Sequence, residues 1–431
     1  MVKSNYSPVN CVILLGETVK AAVTLWLALL SPFAYLFLPF YLLLQGIYSP
    51  VQGGKSDSIC RKRALLVTIA ATAIAQGFFF FSLILPNGRA SSTLFLATGL
   101  FIQGRWGNIS SVARAALSDT VNHARLIFVL PLSFCILSFP WLFMLRTFPH
   151  NFNSLHDLSI NYTGIYLSVI IAPFVILLCS IIVYLDTYCR FDDMRDKDEL
   201  HQTRQSNPII MRILRSSGLK RIKLHARYEV FFARFELRQT RELVGKQVWG
   251  WIGGLFYEYG FHSLFYYLVE SGVFAKESFL SQSSLFIFYI AGTIFRPIFL
   301  SSNRFGIILG IVVSMISVLF QYSSLSPAIW QGGVGFGSGL FLSCFYLHYL
   351  TGQKTHDRGK IVGAADSMQT FGELLATFSY ALISLSLSFF RTDVNLLNID
   401  TKSFTLLLFG VSIFCFIWSF KKIYQPGGIS G

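Results

Sequence analysis

What most limits the folds open to this chain is a series of apolar runs, each about 20 residues long, that follow one another from end to end. Hydropathy places them near 9–28, 30–51, 63–86, 92–113, 125–146 and 162–188. Six more follow near 247–269, 282–302, 305–322, 327–351, 361–390 and 403–420. A helix of about 20 residues crosses the roughly 30 Å hydrocarbon core of a bilayer and bonds its own backbone groups, which lipid cannot do. Barrel strands would instead alternate over about 10 residues. Composition agrees, with 53% hydrophobic and 13% charged residues where soluble domains carry about a quarter charged. The expectation is an all-α integral membrane protein of twelve transmembrane helices in two six-helix bundles. Residues 1–189 form the N-terminal bundle, 190–246 a long cytoplasmic central loop and 247–431 the C-terminal bundle. Lys3 precedes the first run with no small-residue cleavage site after it, so that run is expected to stay as the first span.

The charge sits between the runs. With the N-terminus inside, the cytoplasmic side holds Lys3, Lys55, Arg61, Lys62, Arg63, Arg114, Arg125, Arg296, Arg304, Lys354, Arg358, Lys360, Lys421 and Lys422. The outer side holds Arg89, Arg146, Lys276, Arg391 and Lys402. Fourteen against five is the asymmetry expected of a multi-pass protein of the cytoplasmic (inner) membrane with both termini in the cytoplasm. The net charge of +14 therefore reads as loop cations beside anionic lipid, with no nucleic-acid partner. Seven cysteines form no C-x-x-C pair and lie mostly inside apolar runs, so neither a disulfide framework nor a metal site is expected.

The central loop opens acidic at Asp192, Asp193, Asp196, Asp198 and Glu199. From Arg212 onward it mixes cations with apolar residues such as Ile213, Leu219, Ile222, Phe231 and Phe235. That pattern predicts a helix lying on the inner leaflet, with membrane lipids as partners.

Between the second and third runs stands Gly53-Gly54-Lys55-Ser56-Asp57-Ser58-Ile59-Cys60-Arg61-Lys62-Arg63, read as a short basic turn whose glycine pair permits a tight reversal. Its order resembles the signature loop after the second helix of the major facilitator superfamily, roughly G-x-L-S-D-R-x-G-R-R. Gly53, Ser56, Asp57, Arg61 and Lys62 fall on matching positions, whereas Ser58 and Cys60 depart from the pattern. Ser301-Ser302-Asn303-Arg304-Phe305-Gly306 resembles a decayed second copy, with Asn303 where Asp57 sits. Phe101 to Asn108, with Ala115 to Asp119 and Arg125, is similar to the family's fourth helix and its cytoplasmic exit. Leu100 occupies the place where that helix usually has an arginine, and Arg105 is its substitute one turn deeper.

The resemblance implies that spans one, four, seven and ten line a central cavity opening alternately to either side. Ionisable groups at the bilayer centre cost about 2.5–3.5 kcal/mol on insertion scales, so each needs a reason. The expected substrate and proton pathway comprises Glu17, Lys20, Gln103, Arg105, Asn108, Glu258, His262, Tyr346 and Glu373. With about 1.5 Å of rise per residue, Glu17 and Arg105 lie at similar depths, as do Lys20 and Glu258, which predicts a ring of two charge pairs. Asp366, near the cytoplasmic end of its span, is read as a packing group. The expected cytoplasmic gate comprises Gly53, Asp57, Arg61, Lys62, Arg63, Asp119, Arg125, Asn303 and Arg304. There a carboxylate facing a cation or a helix end across the two bundles would latch the inward-closed state. The glycine run 332–339 is expected to let span ten approach its neighbours closely.

Mixed cavity charges suit a small anionic or zwitterionic metabolite, carried by a secondary active transporter working by alternating access and coupled to protons. A monomer with no cofactor and no catalytic or metal site is expected. Span five has no glycine between Leu126 and Met144, a departure from the Gly/Pro-rich signature of drug–proton antiporters. A drug exporter and a lipid flippase of the same fold remain alternatives. So does a membrane-embedded prenyltransferase holding Mg²⁺ on Asp192, Asp193 and Asp196, although no second Asp-rich loop faces that motif.

Overall fold

The computed structural model describes residues 34–58, 61–84, 90–120, 233–270, 279–321, 326–351, 357–390 and 401–422. In chain order the helices are α1 (Ala34–Ser58), α2 (Arg61–Ile84), α3 (Ala90–Trp106), α4 (Ile109–Thr120) and α5 (233–245). They continue as α6 (Val248–Glu270), α7 (Phe279–Phe299), α8 (Asn303–Phe320), α9 (Pro327–Leu350), α10 (Arg358–Phe390) and α11 (Thr401–Lys422). No strand occurs among the described residues. Spans one, five and six of the sequence reading lie outside them, with Glu17, Lys20, Arg125 and the acidic start of the central loop.

Polarity is distributed as a bilayer requires. Val67, Ile74, Phe81, Leu94, Leu407 and Phe414 lie exposed on the outer surface, while Gln45, Ser49, Thr72, Gln103, Asn108 and Asp366 are buried. Lipid is as apolar as leucine, so helices associate through close packing and polar contacts rather than by hiding apolar surface. Stretches of α2, α8 and α11 (Ala64–Ser82, Asn303–Phe320 and Ser403–Lys421) are long and apolar enough to cross a membrane outright.

Helices α1–α4 pack among themselves, as do α6–α11, and α10 joins the two groups by lying along α1 and against α4 and α6. Within the C-terminal group α9 is wedged between α7 and α8. Its glycines are the reason: a Cβ on Gly335 or Gly339 would strike carbonyls of α7 at Leu285 and Tyr289, and one on Gly337 would strike α8 at Gly310. The close approach expected of run 332–339 is therefore present.

Two expectations need correction. The stretch Gly53–Ser58 is not a turn, because α1 continues through it to Ser58 and α2 starts at Arg61. The glycines serve lateral packing instead of reversal. Span four is likewise not continuous, since Gly107 and Asn108 interrupt it between α3 and α4.

The α1–α10 seam is antiparallel and close. Gly53 meets Gly359, the Ser49 carbonyl meets Gly363, the Gly46 carbonyl accepts from Ser367 Oγ at 2.6 Å, and Gly46 rests on the Phe371 ring. Positions 359, 363, 367 and 371 recur every fourth residue and so share one helical face. A Cβ on Gly359 would overlap the Gly53 carbonyl, whereas one on Gly77 of α2 meets nothing within 4 Å. Gly359→Ala is expected to lose about 1–3 kcal/mol by overpacking, and Gly77→Ala to lose nothing. Thermal unfolding in lipid nanodiscs reads the difference, and equal midpoints would refute so tight a seam.

Candidate functional site

The break at Gly107–Asn108 leaves backbone groups without helical partners, and each buried one needs an acceptor or donor. The Arg105 carbonyl accepts from Gln52 Nε2. The Gly107 carbonyl accepts from Gln103 Nε2 at 3.1 Å and from Thr72 Oγ1 at 3.2 Å. Asn108 caps the start of α4, its Oδ1 accepting from Ser111 N at 3.3 Å. Gln103 and Asn108, expected on the solute pathway, thus first of all hold a broken helix together.

From Asn108 a buried polar chain leads across the two helix groups. Asn108 Nδ2 donates to Ser49 Oγ at 2.6 Å and to Ser111 Oγ at 3.0 Å. Ser111 Oγ donates to Asp366 Oδ2 on α10. Arg114 Nη1 stands 2.6 Å from Asp366 Oδ1, and Tyr346 OH of α9 donates to that same oxygen. Arg114 is 8% and Asp366 6% exposed. One carboxylate therefore collects donors from α4 and α9 while standing on α10.

This corrects one reading and gives substance to another. Arg114 is no cytoplasmic loop cation but a buried member of α4, and Asp366 packs α10 against α4 and α9 through a charge network. Sequence reasoning missed Arg114 because the run 92–113 was taken as one straight span ending just before it. The helix break at Asn108, followed by Ser110 and Ser111 as first-turn residues, was the signal available.

A second cross-group contact lies at the start of α10. Asp57 Oδ1 accepts from Gly359 N at 3.0 Å and Oδ2 from Lys360 N at 2.9 Å. First-turn amides have no acceptor in their own helix and carry the positive end of its dipole, so Asp57 caps α10 from another helix. Arg61 Nη2 pairs with Asp57 Oδ1 at 2.6 Å and its Nη1 donates to Ser56 Oγ. Arg61 is fully buried. Arg358 Nη1 donates to the Ser118 carbonyl at 2.7 Å, tying α10 to the end of α4. Lys62 and Arg63 lie in the first turn of α2 and Asp119 near the end of α4. The second-half loop behaves differently: Ser302 caps α8 by accepting from Phe305 N, Asn303 opens that helix, and Arg304 sits 5.5 Å over the Phe420 ring of α11.

The remaining pathway residues fall into two places. Arg105 is half-buried at the end of α3, its guanidinium 4.7 Å from the centres of both the Tyr48 and Trp106 rings and bonded to Tyr48 OH at 3.0 Å. No carboxylate pairs with it among the described residues, and the expected partner Glu17 lies outside them. On α6, Glu258 is buried with its Oε2 3.7 Å from His262 Nδ1. Gly372 of α10 packs on Glu258, and half-buried Glu373 is the next residue. Lys20, the expected partner of Glu258, also lies outside the described residues.

Several solved structures share this fold. A human organic anion transporter, MFSD10 (TETRAN), superposes with a TM-score of 0.59 at 13% identity, over 97% of this chain and 100% of that one. The E. coli fucose:proton symporter FucP gives 0.59 at 14% identity, over 96% of this chain and 98% of that one. The proton:xylose symporter XylE gives 0.61 at 14% identity, over 98% and 96%. At such identities the likeness concerns the fold: the chain has the all-α fold of major facilitator superfamily transporters. No protein-family model matches the sequence, and no curated protein matches it by sequence.

Removing one partner of a buried ion pair leaves the other charge uncompensated and costs about 3–5 kcal/mol. Arg114→Met and Asp366→Leu are each therefore expected to lower stability on that scale, and the double variant to recover most of the loss. A thermal-unfolding cycle over the four proteins measures the coupling, and additive losses would show that Arg114 and Asp366 do not interact.

Proposed function

We propose that this chain is a secondary transporter that moves a small anionic or zwitterionic solute across the cytoplasmic membrane by alternating access, coupled to protons. The observation that carries this reading is the character of the join between the helix groups. It runs along α10 through glycine contacts, a helix cap from Asp57 and a buried charge network at Asp366, all of which can part and re-form without unfolding either group. Residues 1–189 and 247–431 are taken as the rocking bundles and 190–246 as the loop between them. In this reading Asp57, with Arg61 and the start of α10, latches the cytoplasmic side. Eleven of the cations assigned to that side remain once Arg61, Arg114 and Lys360 are counted as buried, still against five outside. The carrier works as a monomer with both termini inside.

Arg105 supports an anionic group on the solute. Its charge lies against aromatic faces that hold the guanidinium plane, and its hydrogen bond to Tyr48 OH uses one of its five donors. The human neighbour of the same fold is described as an organic anion transporter. Proton coupling is supported by Glu258 with His262 one turn away in the C-terminal group, and by the proton symport in the descriptions of FucP and XylE. Glu17 and Lys20 are kept as further pathway members.

The test is uptake into proteoliposomes from a panel of radiolabelled carboxylates, amino acids, betaines and neutral sugars, with and without an inward proton gradient. Accumulation of one anionic or zwitterionic class is expected. Arg105→Ala should raise its KM at least tenfold, and Glu258→Gln should keep solute exchange while losing gradient-driven accumulation. Uptake confined to neutral sugars, or untouched by Arg105→Ala, would overturn the solute class. Accumulation indifferent to the gradient in the unaltered protein would overturn coupling.

A further inference from the structure

Glu236 belongs to neither the Asp57 cap nor the Asp366 network, yet it is among the most deeply buried charges of the molecule. It stands on α5, the helix that leads from the central loop into α6, and is only 2% exposed. Its neighbours on that helix, Arg234, Phe235, Leu237, Arg238 and Arg241, are exposed. Glu236 is thus one of the contacts by which α5 meets the body of the protein, beside Gln239, whose Oε1 accepts from Lys360 Nζ, and it lays its carboxylate on Gly54 of α1. A Cβ on Gly54 would overlap Glu236 Oε2. That oxygen is buried and has no hydrogen-bond partner among the described residues.

An ionised carboxylate in such a place loses its hydration with little in return. The charged groups that face it do not compensate. Asp57 faces it from α1 and Asp357 from the start of α10, both of like sign. Lys360 of α10 is the facing cation, but its Nζ is held by Gln239 Oε1 at 2.6 Å and Asp357 Oδ1 at 3.3 Å. Arg61 is committed to Asp57. From α5 itself the buried neighbour is Thr240, one turn on. Burial, opposed by Lys360 and assisted by Asp57 and Asp357, pushes the Glu236 carboxyl up from 4.5 to about 7.

We propose that Glu236 is a proton-binding site that couples acidity on its own side of the membrane to the α1–α10 junction: α5 docks on Gly54 with Glu236 protonated and leaves when Glu236 ionises. The protonated carboxyl supplies a neutral group that Gly54 can accommodate, and its proton comes from and returns to water as α5 moves. Docked α5 adds a third element to the place where Asp57 caps α10, so acid fixes that junction and alkali frees it. The sign follows from linkage. A carboxyl whose value is raised on docking carries no penalty below its ordinary range, and docking weakens as pH climbs until the raised value is passed. The ceiling is tenfold per pH unit, or roughly 100-fold between pH 5 and pH 7.

Hydrogen–deuterium exchange of the full-length protein in nanodiscs, followed on peptides covering 233–245 and corrected for intrinsic exchange, tests this. Protection is expected to fall at least tenfold from pH 5 to pH 7.5. Glu236→Gln, neutral at every pH, should stay protected at both. Gly54→Ala, which crowds the carboxyl without changing any charge, should lower the protection at pH 5. Protection that does not change with pH in the unaltered protein, or that falls equally in Glu236→Gln, overturns the proposal. The Gln variant decides the question even if Gly54→Ala fails to fold.

Discussion

The amides in the first turn of α10 need acceptors that their own helix cannot supply. Asp57 supplies two, from a helix about 300 residues earlier in the chain. Much of the arrangement follows from that contact. For a short side chain to reach those amides, α1 must come within backbone distance of α10, and only residues without a Cβ permit it. Gly53 and Gly359 meet there, and Gly363 continues the approach one turn deeper. Arg61 then balances the charge that Asp57 brings, and its complete burial is tolerable because Asp57 and Ser56 take up its donors.

A similar logic governs the interior. Polar side chains are placed where backbone geometry has been broken or where helices touch. Gln103, Thr72 and Gln52 repair the interruption at Gly107, and Asn108 restarts the helix. Tyr257 joins α6 to α8 and α9 through Ser314 and Ser338, each at 2.8 Å. Hydrophobic side chains fill the core, as at Phe341, Phe345 and Phe416, and also cover the outer face, where Leu407 and Phe414 stand largely exposed.

How much of this could be read from the sequence differs from place to place. Spans such as 403–420 and 327–351 were legible because a run of apolar residues of bilayer length has few other outcomes. Gly53, Asp57 and Arg61 stood out as a group, but their helical state did not. A glycine pair beside charged residues reads equally as a turn or as a packing notch, and only the partner helix decides. Arg114 and Asp366 are 252 positions apart, and no local pattern relates them. Glu236 was legible only as one acidic residue in a basic stretch, since its burial depends on Gly54 and on the start of α10.

The two polar joins along α10 are not equivalent, and their order constrains how the helix groups can separate. The Asp57 cap lies at the helix end, and Asp366 stands about 10 Å further along the axis at 1.5 Å per residue. Parting the Asp57 cap exposes amides and a carboxylate beside the membrane surface, where water replaces each lost bond at small net cost. Parting Asp366 from Arg114 without a replacement would strand two charges in a medium that strengthens their attraction. Separation that starts at the Asp57 end lets water follow the opening seam past Gly363 before the deeper pair is strained, whereas separation that starts at Asp366 has no such help. The glycine contacts between the two joins offer no side chain to block that path. If the groups part as proposed, solvation sets the order: the helix cap would yield first, and the Arg114–Asp366 pair only when something polar has reached it.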